Sequence, residues 1–226
     1  MSNVFIYSYR ITYFGGTAPC YDAGYLSLAI CKRDMRRVVG RRFLNNKNND
    51  SFWIVGIVGN SLGDDENFKD KTGDILYIAK VDDVKNYSEY FGNTQEKRSD
   101  KIYKPCHNGN REHNGVRFAH NGCDIHSEEY LQERDWDEAH KNKNEKFVLI
   151  SNHYCFLDKT DSDKIKSIIG NNLAKGVGHK VTECSDDITE SFIEILKAKQ
   201  HGILNLPEKL RNNNTSKRGC GKDKGI

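Results

Sequence analysis

Residues 3–11 read N-V-F-I-Y-S-Y-R-I. Val4, Ile6, Ser8 and Arg10 alternate with Phe5, Tyr7, Tyr9 and Ile11, and β-branched and aromatic residues fill both sets. A period of two with that composition predicts a strand. Tyr7 and Tyr9 then share one face, and Arg10 points to the other. Gly15, Gly16 and Pro19 force a loop after it. Further strands are predicted at 25–31 (YLSLAIC), 52–58 (FWIVGIV) and 74–81 (DILYIAKV), with a turn or loop over the polar run 45–50.

Beyond these strands the pattern changes. Residues 84–91 predict a short helix carrying Tyr87, Tyr90 and Phe91. Residues 94–145 are the most polar part of the chain; few regular elements are expected there besides a helix at 128–139. Residues 146–156 (KFVLISNHYCF) predict one buried strand. Ile165, Ile168 and Ile169, and then Phe192, Ile193, Ile195 and Leu196, recur at helical spacing, so helices are predicted at 161–170 and 189–200. Gly202 stops the second. Strands first, one late strand, then helices: this order predicts an α+β fold, a mixed β-sheet with a loop-rich polar insertion and C-terminal helices, rather than a doubly wound one. One domain is expected over 1–207, with 94–145 as the insertion and 208–226 as a basic flexible tail.

Eleven tyrosines and ten phenylalanines can fill a core despite 30% charged residues and a mean hydropathy of −0.77. The net charge of +3 speaks to solubility more than to a partner. No basic n-region precedes an apolar run, and no stretch has the length of a membrane span. The seven cysteines are scattered and odd in number, which predicts a reduced, cytoplasmic protein without a membrane partner.

A separate set of residues carries a resemblance. Tyr7-Ser8-Tyr9-Arg10, Ala18-Pro19, Leu28-Ala29-Ile30-Cys31-Lys32 and Arg36-Arg37 follow one another as an aromatic strand, a Gly-rich loop ending in Ala-Pro, a strand ending in Cys-Lys, and an arginine pair. Trp53-Ile54-Val55-Gly56, residues 75–81, Arg98 with Asp100, Ile102 and Tyr103, residues 148–151, Gly178-His179 and Leu206-Pro207 continue the order. Over about residues 3–207 the chain resembles the nucleotide-modification-associated domain family of the second type. It departs from that pattern at Phe14-Gly15-Gly16, where an acidic residue and glycine usually precede Ala-Pro, at Cys20 in place of Asn, and at Ser99 in place of Gly; Asp22 lies close enough to replace the missing acid. The resemblance implies a setting near systems that modify DNA bases or attack modified DNA.

In that setting the expected function is a DNA glycosylase-like hydrolase. It would flip out and excise a bulky modified base, such as glucosylated hydroxymethylcytosine, from phage DNA in antiviral defence. The alternatives are a noncatalytic reader of modified bases and an accessory enzyme of base modification. Double-stranded DNA containing modified bases is the expected partner; no cofactor is expected, and the oligomeric state is open. Breaking a glycosidic bond builds positive charge on the sugar, which a carboxylate stabilises. Asp100 and Asp22 are the candidate carboxylates; the alternative for Asp100 is a turn or helix-capping residue, and Asp22 reads equally well as a turn. His153 and His179 could protonate a leaving base or bind phosphate, or be structural; His153 joins the carboxylates as a catalytic candidate. Tyr7, Tyr9 and Tyr103 could stack on a base or pack a core, and Asn152 could read a base edge. Lys32, Arg33, Arg36, Arg37, Arg41 and Arg42 form the strongest phosphate-binding candidate, with Arg10 nearby; a solvated surface is the alternative.

Cys106, His107, His113, His120, Cys123 and His126 invite a zinc reading, but no C-x-x-C occurs, and a His-rich polar loop is preferred. No G-x-S-x-G elbow or phosphate loop is present. Cys20 as a thiol nucleophile has no base marked near it.

Overall fold

The computed structural model describes residues 2–12, 14, 19–21, 24–29, 32–92, 98, 100, 103–106, 117–120, 147–176, 178–184 and 187–199. Its strands are β1 (Val4–Ile11), β2 (Leu26–Leu28), β3 (Ser51–Val58), β4 (Ile75–Lys80), β5 (Asp83–Asn86), β6 (Tyr103–Cys106), β7 (Arg117–His120), β8 (Phe147–Ser151), β9 (His153–Phe156) and β10 (His179–Cys184). Its helices are α1 (Arg33–Leu44), α2 (Asn60–Gly63), α3 (Tyr87–Gly92), α4 (Lys159–Ile169) and α5 (Asp187–Lys199). The class is α+β, as the order of patterns predicts.

Five strands form one mixed sheet in the order β10-β1-β3-β4-β9. β1 and β3 are parallel, with Tyr9 opposite Gly56, and α1 lies on the connection that parallel neighbours require. The other neighbours are antiparallel. A second sheet, β2-β8-β5, is antiparallel throughout, and β6 and β7 form a separate antiparallel pair.

Alternation along the strands sorts the core into layers. Val4, Ile6, Trp53, Val55 and Ile78 pack on Ile165 and Ile169 of α4 and on Phe192 and Ile195 of α5. The opposite residues, Tyr7, Tyr9, Ile54 and Tyr77, pack on Met35 and Val39 of α1 and on Leu26, Leu28 and Leu149 of the second sheet. The outer face of that second sheet buries Val148 and Ile150 against Tyr87, Tyr90 and Phe91 of α3.

The two sheets are joined by chains that change sheet. β4 runs into β5, and β8 into β9, across a bend at Asp82 and Asn152. The Asp82 carboxylate accepts hydrogen bonds from the backbone N–H groups of Asn152 at 2.6 Å and His153 at 3.2 Å. The one strand expected at 146–156 is therefore, over 147–156, two strands in two sheets. Residues 84–91 divide likewise between β5 and α3. The basic segment, given no element from its composition, is α1. β10 was also unforeseen: it is a half-exposed edge strand whose residues lack a strong apolar pattern. The expected strand at 25–31 is described only as Leu26–Leu28. The helix expected at 128–139 and the tail lie outside the described residues. So do Asp22, His107, His113, Cys123 and His126. Among the described residues no helix is long and apolar enough to cross a membrane.

Candidate functional site

α1 has few apolar residues, and its arginines are sorted by the helical period. Met35, Arg36, Val39 and Gly40 face inward. A Cβ at Gly40 would collide with the Phe147 ring, so glycine lets β8 lie against the helix. Arg36 is buried; it donates from Nη1 to the Phe147 carbonyl at 2.5 Å and lies 5.5 Å from the Tyr87 ring centroid. Arg42 reaches over Phe5, 4.9 Å from its ring centroid, and donates to the Tyr7 hydroxyl at 3.2 Å. Burial raises the Tyr7 phenol above its ordinary range, with Arg42 opposing. Arg33 and Arg37 point outward on either side of Asp34, at 3.6 and 3.5 Å from its carboxylate.

At the head of α1 four functional types meet. Lys32 precedes the helix in the left-handed region, φ 46°, and its ammonium lies 5.3 Å from the Tyr9 ring centroid. The Tyr9 hydroxyl meets that of Tyr77 at 2.8 Å in the core. This pair depends on Gly56, where a Cβ would run into the Tyr77 ring and Ile11. His179 is paired with Tyr9 across β10 and β1, so both side chains leave the sheet on one face. Burial holds the His179 imidazole below its ordinary value; Asp34 opposes this and Lys32 adds to it. Tyr9, Lys32 and His179 were singled out in the sequence and are brought together. Tyr77 and Asp34 were not. Arg10 lies on the other face of β1, and its Nε is buried without an acceptor among the described residues.

Asp100 occupies a different place. It is fully buried and paired with Arg98, Nε to Oδ1 at 3.3 Å. Its Oδ2 accepts from the Tyr90 hydroxyl at 2.7 Å and from Ser27. Arg98 in turn donates to the carbonyls of Cys20 at 3.2 Å and Tyr25 at 3.3 Å and to Ser27 Oγ at 2.7 Å, with its guanidinium 3.7 Å from the Tyr25 ring centroid. Burial works against charge on Arg98, but Cys20, Asp100, Tyr90 and Tyr25 together more than restore it. Burial and Asp100 push the Tyr90 phenol far up, so it remains a donor. Two signature stretches of the sequence, one around Ala18-Pro19 and one around Arg98, thus meet in one buried network. Cys20 is itself buried.

His153 is exposed, with Nδ1 at 2.9 Å from Asp82, and Asn152 beside it is exposed too. They sit on β9 and the bend, three strands across the five-stranded sheet from Tyr9. Tyr103 pairs with His120 at one end of the β6–β7 pair, and Cys106 with Arg117 at the other. Among the described residues no group of three or more His, Cys, Asp or Glu is placed to hold a metal ion.

A model of the family described as nucleotide modification associated domain 2 matches residues 3–214. No curated protein and no solved structure matches the chain.

Proposed function

Because the chain belongs to the nucleotide modification associated domain 2 family, we propose that it recognises a bulky modified base in DNA, with its binding region at the head of α1. The observation that carries this reading is the placing of Lys32 and His179 beside Tyr9, with Arg33 next in the chain and Arg37 one turn further along α1. The Lys32 ammonium supplies charge for a phosphate, and the His179 imidazole, which burial shifts toward its neutral form, supplies a hydrogen-bonding edge for a base.

Base excision is the second reading. The observation that favours it is the grip of Arg98 on the carbonyls of Cys20 and Tyr25, which bracket Asp22 in the chain. In this reading Asp22 supplies the carboxylate that stabilises charge on the sugar. Asp100 acts through Arg98 as a positioning residue, because both its oxygens are already committed.

Three duplexes test both readings: one with cytosine, one with hydroxymethylcytosine and one with its glucosylated form. Binding to a modified duplex at least about tenfold tighter than to plain DNA, a preference of about 1.4 kcal/mol, is expected. Equal affinities for all three sink the modified-base reading. Alkali-labile breaks confined to a modified duplex and abolished in Asp22→Asn support excision. Selective binding with intact strands leaves a reader.

A further inference from the structure

We propose that the outward face of α1 is a track for the phosphodiester backbone, contacted by Arg33, Arg37 and Arg41. The inference rests on the DNA reading above and adds the surface that holds the strand.

Five arginines occur in α1, and the structure divides them. Arg36 and Arg42 are turned to Phe147 and Tyr7, as described. The remaining three stand at i, i+4 and i+8, a spacing that places them in one row on a helix. Successive members are about 6 Å apart along the axis. Arg33 and Arg41 are exposed, and Arg37 between them is partly so. The Nε of Arg37 is itself buried, but its side chain is 43% exposed, which leaves the guanidinium open to a phosphate at the middle of the row. The one acid of the helix, Asp34, lies between Arg33 and Arg37 and holds them as neighbours. Its side chain is 60% exposed, so an arriving phosphate competes with it in water rather than in the core. Asn45, exposed and four residues after Arg41, continues the spacing past the tail of the helix. A periodic row of guanidinium groups suits a polyanion whose charges repeat along a line, and their planar forks match phosphate oxygens.

The test is a salt series with the full chain and a short unmodified fluorescent duplex. In the Arg33→Gln/Arg37→Gln/Arg41→Gln variant the slope of log K against log salt should become shallower by about 2 to 3, since each phosphate contact contributes about 0.9. Affinity at low salt should fall about tenfold or more. A comparison variant, Lys164→Gln/Lys175→Gln/Lys197→Gln, removes the same charge from exposed positions on the α4–α5 side and should leave the slope unchanged. The proposal is overturned by an unchanged slope in the arginine variant, by an equal loss in the lysine variant, or by no duplex binding in the parent protein. Competition by a polyglutamate peptide as strong as that by duplex at equal charge overturns it too, in favour of an acidic protein partner. Should the triple variant not fold, Arg41→Glu alone is expected to reduce the slope by about 1. A shallower slope with no preference among modified duplexes keeps the track and removes only the modified-base reading.

Discussion

Asp100 shows how little a side chain's chemistry says before its surroundings are known. A carboxylate in a polar stretch of sequence reads as catalytic or as a turn residue. In the fold it is fully buried, holding Arg98 against two backbone carbonyls. Removing one partner of such a pair strands the other charge in the core. Asp100→Asn is therefore expected to lower stability in urea denaturation by about 3 to 5 kcal/mol. Replacing both members with apolar residues should cost less than this single change. A catalytic role alone predicts no such loss. The sequence marked Asp100 but not its partners Ser27 and Tyr90, which lie 73 and 10 residues away; no local pattern encodes that meeting. His179 makes a second prediction at this scale. Its folded-state value is depressed below the ordinary 6.5, so the unfolded chain takes up its proton first as pH falls. Its contribution to stability is whole above that ordinary value and is lost as pH drops through the depressed one. Between about pH 7.5 and about pH 5.5 the melting temperature of the parent should fall further than that of His179→Gln. Parallel curves for the two proteins would refute the linkage.

Elements were legible where one face is apolar and hidden where it is not. β1, β3 and β4 announce themselves by alternation or by apolar runs. α1 does not: its inward face uses Arg36 and Gly40 beside Met35 and Val39, so the apolar stripe is thin. β8 and β9 read as one strand because both are apolar; their separation rests on Asp82, which is distant in sequence. The Asp82 carboxylate satisfies two backbone donors at the bend much as a helix-capping residue does. Asp82→Ala should cost about 1 to 2 kcal/mol by analogy with lost caps, and Asp82→Asn, which keeps one acceptor, less. Equal stability of all three proteins in urea would show that water replaces the carboxylate at no cost. The loss should leave the head of α1 unaffected, because the bend lies three strands away.

At the scale of the molecule, the five-stranded sheet is a partition. The side that faces α1 and the second sheet holds the tyrosine pair, Lys32 and the α1 arginines assigned to DNA. On the other, α4 and α5 supply packing: Phe192 of α5 meets Trp53 of β3 edge to face, 4.9 Å between ring centroids, and both are fully buried. Asp74 fastens the same side, bonded at 2.7 Å by Lys159 and by Lys166 of α4; burial alone would raise its carboxyl, but the two lysines outweigh that and hold it below its ordinary value. The α+β class was readable from the order of patterns, but this partition was not, since it depends on β10 and β1 pairing across most of the chain. A division of labour follows from it. Phe192→Ala removes a buried ring from a packed layer and should cost about 3 to 5 kcal/mol. Measured below its melting temperature, that variant should keep the parent's salt slope on duplex DNA, because α1 and α5 pack on opposite faces of the sheet. The arginine-row variant should behave oppositely, with a shallower slope and a melting temperature near the parent's. A Phe192→Ala protein that is folded by circular dichroism yet has lost the slope would mean that the two faces are coupled through the sheet, and that α1 is held in its binding position by packing on the far side.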